Sequence, residues 1–373
     1  MDAERFLARR TAAMSASGIR RIFDLAATLR DPIDFSMGQP DFPVPENIKR
    51  SAAEAIRADR NGYTVTHGLS DLREAIQPRI QREFDWQPDI LVTCGVSGGL
   101  MLVMMSCLDP GDEAIIVDPY FVSYPRLVTL AGGRTVAVDS APSYQLPIDR
   151  IEQAITDRTK LILVNSPNNP TGVVQPTDRI EALCTLADEH DLLIVSDEIY
   201  NMLSFDAPAA SPACFAPQRT VVLRGFGKSY GMTGWRMGFA AGPAPVIREM
   251  AKLQQYTFVC APHPLQHACI EALDTDMTDV VTRYRAKRDL AVALLRDAFD
   301  FPTPAGGFFV YCRAPESFTG GGAFVEAAIG RNVLTVPGSA FSARDTHFRI
   351  SYAVSEDRLR RGCAILGELA LSQ

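Results

Sequence analysis

The chain is poor in the residues that hold metals. It has five histidines, and its eight cysteines (Cys94, Cys107, Cys184, Cys214, Cys260, Cys269, Cys312 and Cys363) never fall in CxxC spacing. That argues against a zinc site or a disulfide framework, and for small buried thiols in a reducing cytoplasm. The chain also lacks a basic excess: 37 Lys and Arg stand against 44 Asp and Glu, a net charge of −7. With no Lys/Arg-rich run to reverse that balance, neither nucleic acid nor an anionic membrane is an expected partner. No apolar run is long enough to span a bilayer. The longest, VSGGLMLVMMSCL, carries glycines and reads as a buried helix. The opening MDAERFLARR is charged from its second residue and does not read as a signal peptide. Internal repeats and low-complexity segments are missing too.

What is present is a recurring unit of short apolar run, glycine-rich or polar turn, and helical pattern. DILVT leads into CGVSGG, AIIVD into PYFVSYP, KLILV into NSPNNPTG, DLLIVSD into EIY and TVVLR into GFGKSYG; RTVAV and GFAAG read as two further strands. Apolar strands alternating with helices predict an α/β architecture, a large, mostly parallel seven-stranded sheet covered by helices on both faces. After about residue 280 the pattern changes. RYRAKRDLAVALLRDAF predicts an amphipathic helix, and GGFFVYCRA, NVLTVPGSAFS and HFRISYA predict short strands of a smaller α+β part. We expect a large domain over 44–275 and a small one formed by 1–43 with 276–373, the N-terminal IRRIFDLAATL being a helix joined to the latter.

Ligands of such sheets bind beyond the carboxyl ends of the strands. That rule selects Gly95, Val96, Ser97, Phe121, Asn169, Asp197, Tyr200 and Lys228, which follow successive strands and would meet on one rim. Lys228 lies in GFGKSYGMTGWRMG. The GKS triplet resembles the end of a phosphate-binding P-loop, but Val222 stands where that motif needs glycine. An ordinary loop lysine is the alternative reading, and a Schiff-base lysine, which needs a crowded dry site, is the third.

The neighbours favour the third. Pyridoxal phosphate needs an amine for its aldehyde, a carboxylate for its pyridinium nitrogen, a ring on its face, hydrogen bonds to its phenolate and an NH-rich cationic cup for its phosphate. Lys228, Asp197, Phe121, Asn169 with Tyr200, and the helix-opening turn Gly95–Val96–Ser97 with Arg236 answer these needs in turn. Each taken alone has a plainer reading: Asp197 as a helix cap, NNPTG as a turn, Tyr200 as a core aromatic, Arg236 as a surface ion pair. Their joint placement after successive strands is what the plainer readings leave unexplained.

NGYTVTHGLSDLREAI, DPYFVSYP, VNSPNNPTG, VSDEIY, GFGKSYGMTGWRMG and FRISYA run in one order along most of the chain. In that order they resemble the class I/II aminotransferases, pyridoxal-phosphate enzymes of fold type I. The chain departs from that pattern at Gly225, where the lysine motif usually has serine, which removes a hydroxyl contact to the phosphate. The resemblance implies further roles. Tyr63 matches a tyrosine that crosses to the neighbouring subunit's cofactor phosphate, implying a homodimer with shared active sites. Arg349 matches the arginine that clamps the substrate carboxylate, Gly38 a backbone position near it, and Ile19 an apolar wall of the substrate site. Lys228 would carry the cofactor and move the substrate Cα proton, with Asp197 and Tyr200 as its catalytic partners. The implied activity is transfer of an amino group from an L-amino acid to a 2-oxo acid. A C–S β-lyase on the same fold is the alternative, and a non-catalytic ligand-sensing domain a more remote one. Ser97 stands where some aspartate-specific relatives have lysine, and QQYTFVCAPHP, which resembles a segment lent to the partner's pocket, has no lysine or arginine. Both features favour neutral or aromatic substrates.

Overall fold

A computed structural model describes residues 4–12 and 29–371. Ile19 and most of the expected N-terminal helix lie outside the described residues. The described strands are β1 (Ile33–Asp34), β2 (Asp89–Thr93), β3 (Glu113–Asp118), β4 (Arg134–Asp139), β5 (Thr159–Asn165), β6 (Leu193–Asp197), β7 (Thr220–Gly225), β8 (Gly238–Gly242), β9 (Phe309–Arg313), β10 (Val333–Leu334), β11 (Val336–Pro337) and β12 (His347–Ser351). Seven of them form one sheet in the order β2-β8-β7-β6-β5-β3-β4.

The sheet is buried on both faces because its strands are apolar at consecutive positions. Leu91, Leu163, Val195, Val221 and Leu223 pack with the helix Gly95–Cys107 on one side. Ile162, Val164 and Ile194 pack on the other side with the helix Thr177–Glu189. Two covered faces leave only the ends of the sheet for a ligand. The expected run VSGGLMLVMMSCL is indeed a buried helix.

Alternating strands and helices predict parallel pairing, and one strand departs from it. β8 runs antiparallel to both β2 and β7. Strand composition does not encode direction; the connection does, since residues 226–237 hold only the short helical turns Phe226–Ser229 and Thr233–Trp235 and no crossover helix to carry the chain back to the other end of the sheet. The antiparallel insertion brings the start of β8, just after Arg236, to the rim where β7 ends in Gly225.

The later part of the chain holds the helix Thr278–Leu295 and a three-stranded antiparallel sheet, β11-β12-β9. β12 places Arg349 opposite Tyr311 on β9 and Val336 on β11. β1 pairs in parallel with β10, so the segment that reaches Gly38 is tied to this part of the molecule.

Candidate active site

A cavity of about 250 Å³ opens at the carboxyl end of the large sheet. It is lined by Gly95, Val96, Ser97, Phe121, Asn169, Asp197, Tyr200, Lys228, Arg236, Gly38 and Arg349, all expected from the sequence. Among the described residues, two expected ones are not part of its lining. Tyr63 is 84% exposed on this chain. Gly225 lies beneath the wall: a Cβ there would come within 2.8 Å of Ile199 Cδ1 and 3.0 Å of Val96 Cγ2. The glycine therefore allows β7 to approach the neighbouring strand ends closely.

Lys228 sits on a single helical turn, Phe226–Ser229, at the end of β7. Its Nζ donates to the Gly38 carbonyl. Burial is the main cause that lowers its pKa to about 8, with Arg349 and Arg236 acting in the same direction. A buried amine near neutrality is the state a nucleophilic lysine needs. Burial also raises Asp197, to about 6. Its Oδ2 accepts from the Tyr124 hydroxyl at 2.7 Å and its Oδ1 from the Ile199 amide at 3.1 Å. Asn165, at the end of β5, donates to the Asp197 carbonyl at 2.9 Å, and its Oδ1 accepts the Asn169 amide at 2.8 Å. The phenol of Tyr200 is pushed up, chiefly by burial. Its ring packs edge-on against Phe308 and Phe309.

Arg349 is buried on β12. It donates from Nη1 to Asn169 Oδ1 at 2.9 Å and from Nη2 to the Ser36 carbonyl at 2.7 Å. Phe309 and Phe341 cover the guanidinium at 4.3 and 4.8 Å from their ring centroids. Nε is buried with no protein partner. Burial lowers the guanidinium to about 10. A buried cation facing a cavity with an unused donor is suited to a carboxylate.

At the opposite end, Arg236 and Gly95 form a cup. Both have left-handed backbones, with φ 56° and 70°. A Cβ on residue 95 would lie 2.9 Å from Arg236 Nη2, so only glycine leaves the guanidinium its place over the start of the helix Gly95–Cys107. The unpaired backbone NH groups of that helix end add to the guanidinium's attraction for an anion. The basic and acidic lining residues, apart from the phenols of Tyr124 and Tyr200, are thus Lys228, Arg236 and Arg349 and one carboxylate, Asp197. A phosphorylated pyridine aldehyde fits that donor set: amine and carboxylate in the middle, a cationic NH-rich cup at one end.

Tyr124, Asn165 and Ser36 were not singled out from the sequence. Tyr124 had a visible signal, since it lies three residues after Phe121 at the start of a helix, on the same face. Asn165 acts across the paired ends of β5 and β6, and the Ser36 carbonyl through a contact 313 residues away in sequence; neither role shows in a local pattern.

The sequence model of the family "Aminotransferase class I and II" matches residues 30–366. The Aspartate/prephenate aminotransferase of Thermus thermophilus is 37% identical over 377 residues, covering 96% of this chain and 97% of that protein. The Aspartate/prephenate aminotransferase of Cereibacter sphaeroides is 38% identical over 368 residues, covering 91% and 92%. Among solved structures, a tetra mutant of Thermus thermophilus aspartate aminotransferase complexed with tryptophan superposes with a TM-score of 0.94 at 36% identity, covering 97% of this chain and 99% of that one.

Proposed function

The chain belongs to the class I and II aminotransferase family, and from that premise we propose how its cavity carries out the transfer. It is a pyridoxal-phosphate-dependent enzyme that moves an amino group from an amino acid to a 2-oxo acid. The observation that carries the assignment of residues is the burial of one amine, Lys228, and one carboxylate, Asp197, in a single cavity with a cationic group at each end.

Bound there, pyridoxal phosphate supplies an aldehyde that captures the substrate amine and a ring that accepts electrons from Cα. In our reading Lys228 would hold the cofactor and, when free, would take and return the proton of the substrate Cα. Asp197 would keep the ring nitrogen protonated, and a cation beside it would offset the burial that now raises its pKa. Asn169 and Tyr200 would bond the ring oxygen, and Phe121 would cover the ring face. Arg236 and the Gly95–Ser97 backbone hold the phosphate, while Arg349 fixes the substrate carboxylate so that Cα–H points at the lysine.

The ends of the chain, 1–43 and 276–373, would form a small domain against a large one at 44–275. Tyr63, Val65 and Tyr256 are large side chains at 84%, 65% and 80% exposure. Their exposure supports a homodimer in which Tyr63 reaches the partner's phosphate cup. A cytoplasmic location accords with eight free thiols and with the lack, among described residues, of any helix long and apolar enough to cross a membrane. The relatives' names support aspartate as a donor. The Ser97 hydroxyl and the cavity's Leu100, Met232 and Ile199 support a neutral or aromatic one.

The test is a half-reaction. L-Amino acids, aspartate and phenylalanine included, are added singly to the cofactor-loaded protein without an acceptor, and the absorbance of lysine-bound cofactor is followed. Loss of the band, restored by a 2-oxo acid, is expected and identifies the donor. A retained band with ammonia and pyruvate released from a cysteine-like substrate would replace transfer with β-elimination.

A further inference from the structure

We propose that Arg344 is a positioning residue for the carboxylate clamp, tying the turn beneath Arg349 to the ends of the large sheet. The proposal rests on the reading of Arg349 as the substrate-carboxylate residue.

Arg344 lies five residues before Arg349, outside the cavity. Its guanidinium grips Asp139, the last residue of β4, with two bonds: Nη1 to Oδ2 at 2.8 Å and Nη2 to Oδ1 at 2.5 Å. Nη2 also reaches Asp118, the last residue of β3, at 3.4 Å. Ser342 joins the same knot, since its hydroxyl donates to Asp118 Oδ2 at 3.0 Å and accepts the Arg344 amide at 3.1 Å. One residue earlier, the Phe341 carbonyl accepts the Tyr120 amide at 2.9 Å. The turn 341–344 is thus fastened to the ends of β3 and β4 and to Tyr120, the residue before Phe121.

Two walls of the active site depend on that fastening. Phe341 is fully buried and its ring lies under the Arg349 guanidinium. Phe121, directly after Tyr120, lines the cavity on the other side. Arg349 makes two hydrogen bonds and leaves Nε unpaired, so its aim relies on the rings packed against it. Releasing Arg344 would remove the fork that holds the far side of the turn while the Phe341 and Ser342 bonds remain, which would loosen Phe341 and widen the range of guanidinium orientations, with no atom removed from the cavity. A fixed planar fork recognises a carboxylate far better than a wandering one. Arg150 approaches Asp139 Oδ2 at 3.8 Å, so Asp139 keeps a cationic neighbour in the variant, whereas the largely buried Asp118 is left with the Ser342 hydroxyl and the Ala343 amide.

The experiment compares Arg344→Gln, Arg344→Lys and Arg349→Ala with the parent in cofactor-loaded form. Arg344→Gln should raise KM for amino acids, and the dissociation constant of the unreactive carboxylate hydrocinnamate, about fivefold, the scale of a half-exposed bidentate pair. The absorbance of lysine-bound cofactor and kcat should stay unchanged. Conversion of the cofactor by phenethylamine, which has no carboxylate to offer Arg349, should proceed at the parent rate. Arg344→Lys should recover part of the loss, because a point charge cannot form the fork. Unchanged KM and hydrocinnamate affinity in Arg344→Gln, or an equal loss with phenethylamine, overturns the proposal. If Arg349→Ala also leaves both carboxylate readouts unchanged, the fault lies in the reading of Arg349. Should Arg344→Gln fail to fold, Ser342→Ala, which removes one bond of the same knot, should show a smaller shift confined to carboxylates.

Discussion

Two parts of the cavity are built differently. The part around Asp197 belongs to one continuous sheet. Tyr124, Asn165 and Asp197 stand at or past the ends of the neighbouring strands β3, β5 and β6, and each polar atom named there has a partner a few residues or one or two strands away. The part around Arg349 is assembled from distant pieces: Ser36 and Asn169 are 313 and 180 residues from Arg349 in sequence. There one donor, Nε, remains unpaired. A site that must keep a cofactor gains from the first construction. A site that must admit and release a substrate gains from the second, whose parts lie on elements able to shift against each other.

Substitutions in each part test that contrast, the largest effect coming where both parts meet. Lys228→Ala should lower turnover about 10⁴-fold by removing the proton carrier, while the cofactor stays bound without its lysine-linked absorbance. Full activity in that variant would remove Lys228 from the chemistry. In the assembled part, Arg349→Ala should raise KM for amino acids about 10²-fold, the scale of a charge-assisted pair lost from a buried site, with cofactor absorbance intact. A shift in the cofactor band instead would mean that the two parts are not separable.

The smallest effect is expected in the continuous part. Tyr124→Phe removes a hydroxyl that donates to ionised Asp197 and so lowers its pKa. Its loss should move the acid limb of the pH–rate profile upward by about one unit and cost turnover about tenfold. Thermal melts of cofactor-free protein provide a second readout. The folded carboxyl, near 6, lies above its ordinary 3.8. The stability gained from its protonation is therefore fully present below 3.8 and is lost as pH rises through about 6. In the phenylalanine variant that loss should extend to higher pH. Superimposable profiles would show that the hydroxyl does not tune Asp197.

The same contrast explains what could be read in the sequence. Lys228, Asp197, Asn169 and Tyr200 stood out because strand-end position is a local pattern: an apolar run, then a residue of unusual chemistry. Arg349 was named through its resemblance to a family motif, because a lone arginine in a short strand has no local signature. Tyr124 and Asn165 were missed since their role lies in a bond across strands, which periodicity does not reveal. The direction of β8 was missed because antiparallel insertion depends on what the connecting segment holds, here two short turns and no crossover helix, rather than on strand composition. Arg344 has no local signature in the sequence, and only the fold brings Asp118 and Asp139 together beside it.

Gly95 and Arg236 have a consequence for how such a chain can drift. Arg236 holds a left-handed backbone at a cost of about 1 kcal/mol, and its guanidinium occupies the volume any larger residue at 95 would claim. Neither position is free to vary first. A side chain at 95 displaces the arginine, and a smaller residue at 236 leaves the glycine with flexibility and no ligand to justify it. The two are inherited as one character, so a lineage that loses the anion-binding cup should lose both, and one that keeps either should keep the pair.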